Sequence, residues 1–156
     1  MATAFITPDQ DGIVSEIEIS APPERVFRAL TTREDALRWW ENPTYELTVW
    51  EMDARLGGQY RFTARVRAGK NAGKEYKHHG EITEFDPPRV LAYTWMTNFH
   101  DDPSRETVVR WELTPKGKAT HVKITHSGLL HEPTSRKGYS EGWLGLLRAL
   151  KTLLEK

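Results

Sequence analysis

The chain has 156 residues, 38% of them hydrophobic and 28% charged, with 22 Lys plus Arg against 22 Asp plus Glu and no cysteine. That length predicts one core-bearing domain over residues 1–156, and the zero net charge lacks the basic excess that nucleic-acid binding calls for. The absence of thiols excludes disulfides, thiolate catalysis and thiolate-bound metal. No apolar run approaches the roughly 20 residues that cross a bilayer, and residues 1–10 show no basic start followed by an apolar stretch. The expected location is therefore cytoplasmic, away from membranes.

The first predicted element is a strand. Residues 13–19 place Ile13, Ser15, Ile17 and Ile19 on one face and mostly polar side chains on the other. Ala21-Pro22-Pro23 ends it. Because a first-turn N–H has no helical partner in any case, proline there opens a short helix over residues 23–30, with Val26, Phe27 and Leu30 inward. A second short helix covers residues 33–40, with Leu37 and Trp40 on one side, and stops at Asn42-Pro43. From residue 44 to residue 125 the chain alternates. The same-parity sets are Tyr45, Leu47 and Val49; Tyr60, Phe62, Ala64 and Val66; Leu91, Tyr93 and Trp95; Val109, Trp111 and Leu113; Val122 and Ile124. Turn-forming residues part them at Gly57-Gly58, 68–73, Asp86-Pro87-Pro88, Asp101-Asp102-Pro103 and Pro115-Lys116-Gly117. These are antiparallel strands with one wet face.

Residues 134–156 are different. At about 100° per residue, Tyr139, Trp143, Leu146, Leu147, Leu150, Leu153 and Leu154 fall on one side of a long amphipathic helix. Gly138, Gly142, Gly145 and Ala149 form a stripe beside that face. Each helical glycine costs about 0.8–1 kcal/mol relative to alanine, so the missing bulk is expected either to allow close packing on the sheet or to leave space for a ligand. The fold class is α+β: one strand, two short helices, about six further antiparallel strands, then a long helix covering the apolar face of a curved sheet of about seven strands.

Several strings in this order resemble a known family. They are Ala21-Pro22-Pro23-Glu24-Arg25-Val26-Phe27-Arg28-Ala29-Leu30-Thr31 followed by Leu37-Arg38-Trp39-Trp40; Asp53-Ala54-Arg55-Leu56-Gly57-Gly58; Gly80-Glu81-Ile82 with Pro87-Pro88-Arg89-Val90-Leu91-Ala92-Tyr93-Thr94-Trp95; and Thr125-His126-Ser127-Gly128-Leu129 with Gly142-Trp143. The chain resembles the START-like helix-grip (SRPBCC) superfamily, in the branch similar to the activator of the heat-shock protein 90 ATPase. The resemblance implies a helix-grip fold with a cavity between sheet and long helix that takes up lipids, aromatic polyketides, steroids or other apolar molecules in relatives. It also implies two alternatives: a co-chaperone-like interaction domain, and an enzyme like the polyketide cyclases or dehydratases.

The residues themselves narrow the chemistry. The Gly-x-Ser-x-Gly string at Gly138 to Gly142 falls inside the predicted long helix and not at the strand-to-helix turn a serine nucleophile needs, there is no His-Glu-x-x-His for a metal, and His121 and His126 lie on opposite faces of one strand. Residues 69–74 do not space a phosphate-binding loop or open a helix. His78 and His79 point oppositely, and with Lys74 and Lys77 beside them they read as a solvated basic strand end. Asp53 and Arg55 read as a structural pair. His126 shares the parity of Val122 and Ile124 and faces inward, as a satisfied core histidine or as a ligand's hydrogen-bond partner. Tyr60, Phe62, Tyr93, Trp95 and Trp111 are plain core or cavity wall, while Trp39 and Trp40, at the end of the second short helix where the resemblance places the cavity mouth, form a packed hinge or supply one gating ring.

The leading expectation is a binding module that encloses a small hydrophobic or aromatic molecule in a substantial cavity. Trp40, Tyr60, Phe62, Tyr93, Trp95, Trp111, His126 and Trp143 are its candidate ligand-binding residues. No catalytic residue, metal ligand or cofactor is assigned. The partners expected are the small molecule and, in the alternative, a chaperone or other protein. Leu144, on the otherwise polar arc of the last helix, leaves a homodimer contact open.

Overall fold

The structure is a computed structural model that describes residues 2–40 and 45–156. Its elements are β1 (Thr3–Ile6), β2 (Ile13–Ile19), α1 (Pro23–Thr31), α2 (Arg33–Trp39), β3 (Tyr45–Met52), β4 (Gln59–Val66), β5 (Glu75–Asp86), β6 (Val90–Thr97), β7 (Thr107–Lys116), β8 (Ala119–Ser127) and α3 (Pro133–Leu154). The strands form one antiparallel sheet of eight in the order β1-β2-β8-β7-β6-β5-β4-β3. This is the predicted α+β helix-grip arrangement with one strand more. β1 was not foreseen because its exposed residues carry no alternation; pairing Thr3 with Glu16 and Ile6 with Ile13 is what makes it a strand.

Proline opens α1 and α3, where its missing N–H costs nothing. A buried carboxylate joins the two short helices: Asp35 on α2 accepts hydrogen bonds from Arg25 Nη1 at 2.8 Å and Nη2 at 3.2 Å on α1. Burial alone would raise the Asp35 pKa, but Arg25, Thr32 and Arg28 outweigh it and hold the carboxyl below its ordinary value. The ends of the chain meet across the sheet, since β2 pairs with β8 from Ile13 opposite His126 to Ile19 opposite Thr120. α3 lies against β1, β2 and α2 and sends Tyr139, Trp143, Leu147 and Leu150 into the core.

Two irregularities shape the sheet. In β3 the register passes from Leu47 opposite Ala64 to Val49 opposite Thr63, so Thr48 is an extra residue and the inward parity shifts. The expected set Tyr45, Leu47 and Val49 is therefore corrected: beyond Leu47, it is Trp50, 6% exposed, that enters the core, while Val49 is only half-buried. In β5 a second shift follows Ile82. Just before it, a Cβ on Gly80 would stand 1.9 Å from the Thr94 carbonyl oxygen, so only glycine admits this approach of β5 to β6.

The glycine stripe of α3 is also corrected. Gly138, Gly142 and Gly145 are exposed, and a Cβ built on any of them meets nothing within 4 Å. They neither press against the sheet nor face an internal space. Over the outer face of the sheet, exposed ion pairs such as Arg61 with Glu51 and Arg110 with Glu84 cross neighbouring strands. Asp53 and Arg55 pair at 2.7 Å, also exposed. Such solvent-exposed pairs add little to stability.

Candidate functional site

Aromatic side chains from α2, β3, β4, β6 and β7 converge beneath the short helices. Leu30, Trp39, Trp40, Trp50, Met52, Tyr60, Phe62, Tyr93 and Trp111 line a cavity of about 10 Å³, room for one water at most. Among the described residues this cavity falls far short of the substantial void expected between sheet and helix. The physical reason lies in two rings: the β3 bulge delivers Trp50 inward, and α2 sets Trp39 against Trp111 at 6.2 Å with its indole N–H donating to the Ala29 carbonyl at 2.8 Å.

Polar tips inside this box are paired. The Trp111 N–H donates to the Tyr93 hydroxyl at 3.0 Å, and the Tyr60 hydroxyl donates to the Thr94 carbonyl at 2.6 Å. Burial pushes the phenols of Tyr60 and Tyr93 well above their ordinary pKa, so both stay neutral. Trp40 caps α2, and its ring lies 4.6 Å from Phe62 and 6.3 Å from Trp143. Of the lining residues, Trp40 and Met52 are the partly exposed ones, so they separate the box from solvent.

At the other end of the interior, near the start of α3, the lining turns polar. The Trp143 indole N–H donates to His126 Nδ1 at 3.2 Å, which makes Nδ1 the unprotonated nitrogen. His126 Nε2–H then donates to Thr107 Oγ1 at 2.9 Å, and the Thr107 hydroxyl donates onward to the Trp95 carbonyl at 2.7 Å. Burial drives the His126 pKa well below its ordinary value, with the neighbouring His100 and His78 adding to the effect. His126 is thus the satisfied core histidine of the two readings. With both nitrogens committed it offers no free lone pair or proton to a substrate.

Further along, the Trp95 N–H donates to the Tyr139 hydroxyl at 2.9 Å, and that hydroxyl lies 2.8 Å from His100 Nε2. His78 stacks on Phe62 at 4.4 Å and leans on Trp95 at 4.6 Å. The reading of His78 as part of a solvated basic end is overturned: it is 7% exposed, and burial lowers its pKa to about 3.

Every candidate residue lies in this one interior. Trp40, Tyr60, Phe62, Tyr93 and Trp111 surround the small cavity, Trp95 and Trp143 stand in the middle, and His126 sits at the polar end. Sequence reasoning missed Trp50, hidden by the bulge, and His100, which lies in a turn without periodicity. It also set His78 at a solvated strand end, although that residue shares the parity of Gly80 and Ile82. Among the described residues no set of His, Asp or Glu converges as a metal site, and no helix is long and apolar enough to cross a membrane. A larger groove of about 580 Å³, open to solvent, lies between Glu51, Arg61, His79, Glu81, Met96 and Glu106 and shares Tyr60 with the box.

Against known proteins, the family model described as Activator of Hsp90 ATPase homolog 1-like protein matches residues 20–155. Comparison with curated proteins gives no match. Among solved structures, protein CV1439 from Chromobacterium violaceum is 25% identical, with a TM-score of 0.80 over 94% of this chain and 99% of that one. Protein MLL2253 from Mesorhizobium loti is 26% identical, with a TM-score of 0.72 over 92% and 96%. Protein Ms6760 from Mycobacterium smegmatis, 19% identical, has a TM-score of 0.82 over 99% and 97%, a likeness of fold alone.

Proposed function

We propose that this chain, which belongs to the Activator of Hsp90 ATPase homolog 1-like family, is a binding domain that takes a small aromatic or otherwise hydrophobic molecule into its aromatic box and opens at Trp40 to do so. The observation that carries this reading is the box itself: rings from five elements converge on one cavity, and only Trp40 and Met52 of its lining stand partly in solvent. A guest gains about 25 cal/mol for each Å² of apolar surface removed from water. Swinging out a half-buried tryptophan exposes on the order of 100 Å², which costs about 2–3 kcal/mol and lowers the apparent affinity roughly 30- to 160-fold. The closed box is therefore compatible with uptake, at an affinity set by how easily Trp40 leaves.

Titration with N-phenyl-1-naphthylamine tests this. The Trp40→Ala variant should bind the probe roughly 10- to 100-fold more tightly than the parent, whereas Phe5→Ala, a change at an exposed ring on the edge strand, should leave binding as it was. Equal affinity of the parent and Trp40→Ala, or no saturable binding by either, removes the reading. Native mass spectrometry of freshly purified protein would identify a retained guest.

A second reading, a co-chaperone-like domain acting through its surface, is favoured by the filled interior. It predicts direct binding to a purified chaperone ATPase of the Hsp90 class that is indifferent to Trp40→Ala.

A further inference from the structure

We propose a second ligand site at the polar end of the interior, formed by His78, Thr97 and His100 and stoppered by Phe99, which takes a neutral aromatic molecule carrying a hydroxyl group. The starting point is three unpaired atoms. His78 Nδ1, Thr97 Oγ1 and His100 Nδ1 are all buried without a hydrogen-bond partner, on side chains of residues 7%, 1% and 4% exposed. A buried polar group left unpaired is expensive, and three at one end of a core are unusual in a molecule that pairs its other interior histidine, His126, at both nitrogens.

They belong together. His78 and Thr97 are directly opposite each other on β5 and β6, which brings their Cβ atoms within about 4.5–5.5 Å. His100 follows in the turn after β6, and the Phe99 ring stands between the two histidines, 5.7 Å from His78 and 5.4 Å from His100. Phe99 also touches Tyr76 at 5.1 Å and Tyr139 at 5.8 Å, and it is half-buried. The Phe99 ring thus lies against both histidines, with Thr97 opposite His78 on the neighbouring strand. Asn98 ties the turn to β5 through the Lys77 N–H and the Glu75 carbonyl, so the ring can turn out without the backbone following.

The hydrogen-bond pattern selects the guest. Trp95 already donates to the Tyr139 hydroxyl, and the arrangement that leaves fewest atoms unpaired sends the Tyr139 proton to His100 Nε2. His100 therefore carries its own proton on Nδ1, as a free donor. Thr97 can donate and accept, and the neutral imidazole of His78 holds one donor and one acceptor. A hydroxyl on an aromatic ring accepts from His100 or Thr97 and donates to His78. The charges around His100 are the Glu132 and Asp101 carboxylates and the Arg105 guanidinium paired with Glu132, a set that offers no net positive field for an anion.

The test compares p-cresol with p-xylene, which replaces the hydroxyl by a methyl group, using parent protein labelled with 15N-histidine. The expected result is about tenfold tighter binding of p-cresol, with the ring-nitrogen resonances of His78 and His100 moving for p-cresol alone. Phe99→Ala should strengthen p-cresol binding about tenfold by removing the ring that competes for the place. Thr97→Val and His78→Phe should each abolish most of the preference. Equal binding of the two probes, an unchanged preference in both polar-site variants, or no p-cresol binding by the parent and by Phe99→Ala overturns the proposal. Should a variant not fold, the nitrogen shifts in the parent still decide. Trp40→Ala should leave the preference for p-cresol intact, so this site and the aromatic box stand or fall separately.

Discussion

Trp143 on α3 and His126 on β8 are joined by a hydrogen bond from the indole N–H to Nδ1 at 3.2 Å, inside a core where both residues are almost wholly buried. This contact fastens the long helix to the centre of the sheet with a direction as well as an area. It also fixes the His126 proton on Nε2, where Thr107 receives it. A histidine at this place is therefore part of what aligns helix and sheet.

Replacing His126 by alanine removes the acceptor of the Trp143 N–H and the donor to Thr107, and opens a hole beneath the helix. We expect a loss of about 2–4 kcal/mol, seen as a lower denaturant midpoint with an unchanged slope. A loss under about 0.5 kcal/mol, the scale of a surface change, would contradict this role.

The three interior histidines make stability depend on pH. Burial lowers the pKa of His126 well below its ordinary value, that of His78 to about 3, and that of His100 in the same direction. In the unfolded chain each titrates near about 6.5, so below that pH the unfolded state binds protons that the folded state refuses. Stability is then full above about pH 6.5 and falls below it, by up to about 1.4 kcal/mol per pH unit for each histidine. Urea unfolding between about pH 7 and pH 5 should show this decline, and His78→Phe should make it shallower. A flat profile over that window would rule the account out.

Glu132, at the start of α3, accepts hydrogen bonds from the Asp101 N–H at 2.8 Å, the Asp102 N–H at 3.2 Å and Arg105 Nε at 2.8 Å. Burial would raise its pKa, but these donors outweigh burial and hold it below the usual glutamate value. Since the Arg105 side chain is 30% exposed and keeps some water, Glu132→Ala should cost about 2–3 kcal/mol, below the figure for a fully buried pair. Faster hydrogen exchange at Asp101 and Asp102 is the local readout.

Gly142→Ala and Gly145→Ala meet open space on α3, so each should stabilise the helix by about 0.8–1 kcal/mol and raise Tm by about 2–4 °C. Calorimetry checks this. A drop in Tm would mean that the exposed stripe is in contact with something in solution.

Wherever the backbone keeps a local period, the order of residues alone tells which side chains look inward. Tyr60, Phe62, Tyr93, Trp95, Trp111 and His126 follow the alternation of regular strands, and Trp143 follows the turn of a helix. Each of those facts depends on residues a few positions apart. The rest comes from contacts between distant segments. The bulge at Thr48 that turns Trp50 inward is a matter of pairing with β4, and β1 exists only because β2 offers an edge. His100 is buried by a turn folding onto α3, beside Tyr139, 39 residues further along the chain. Whether the converging rings enclose a vacancy or meet one another depends on the fit of side chains from five elements, to within a fraction of a ring's width. No pattern along one strand carries that information, because it arises only where distant segments pack.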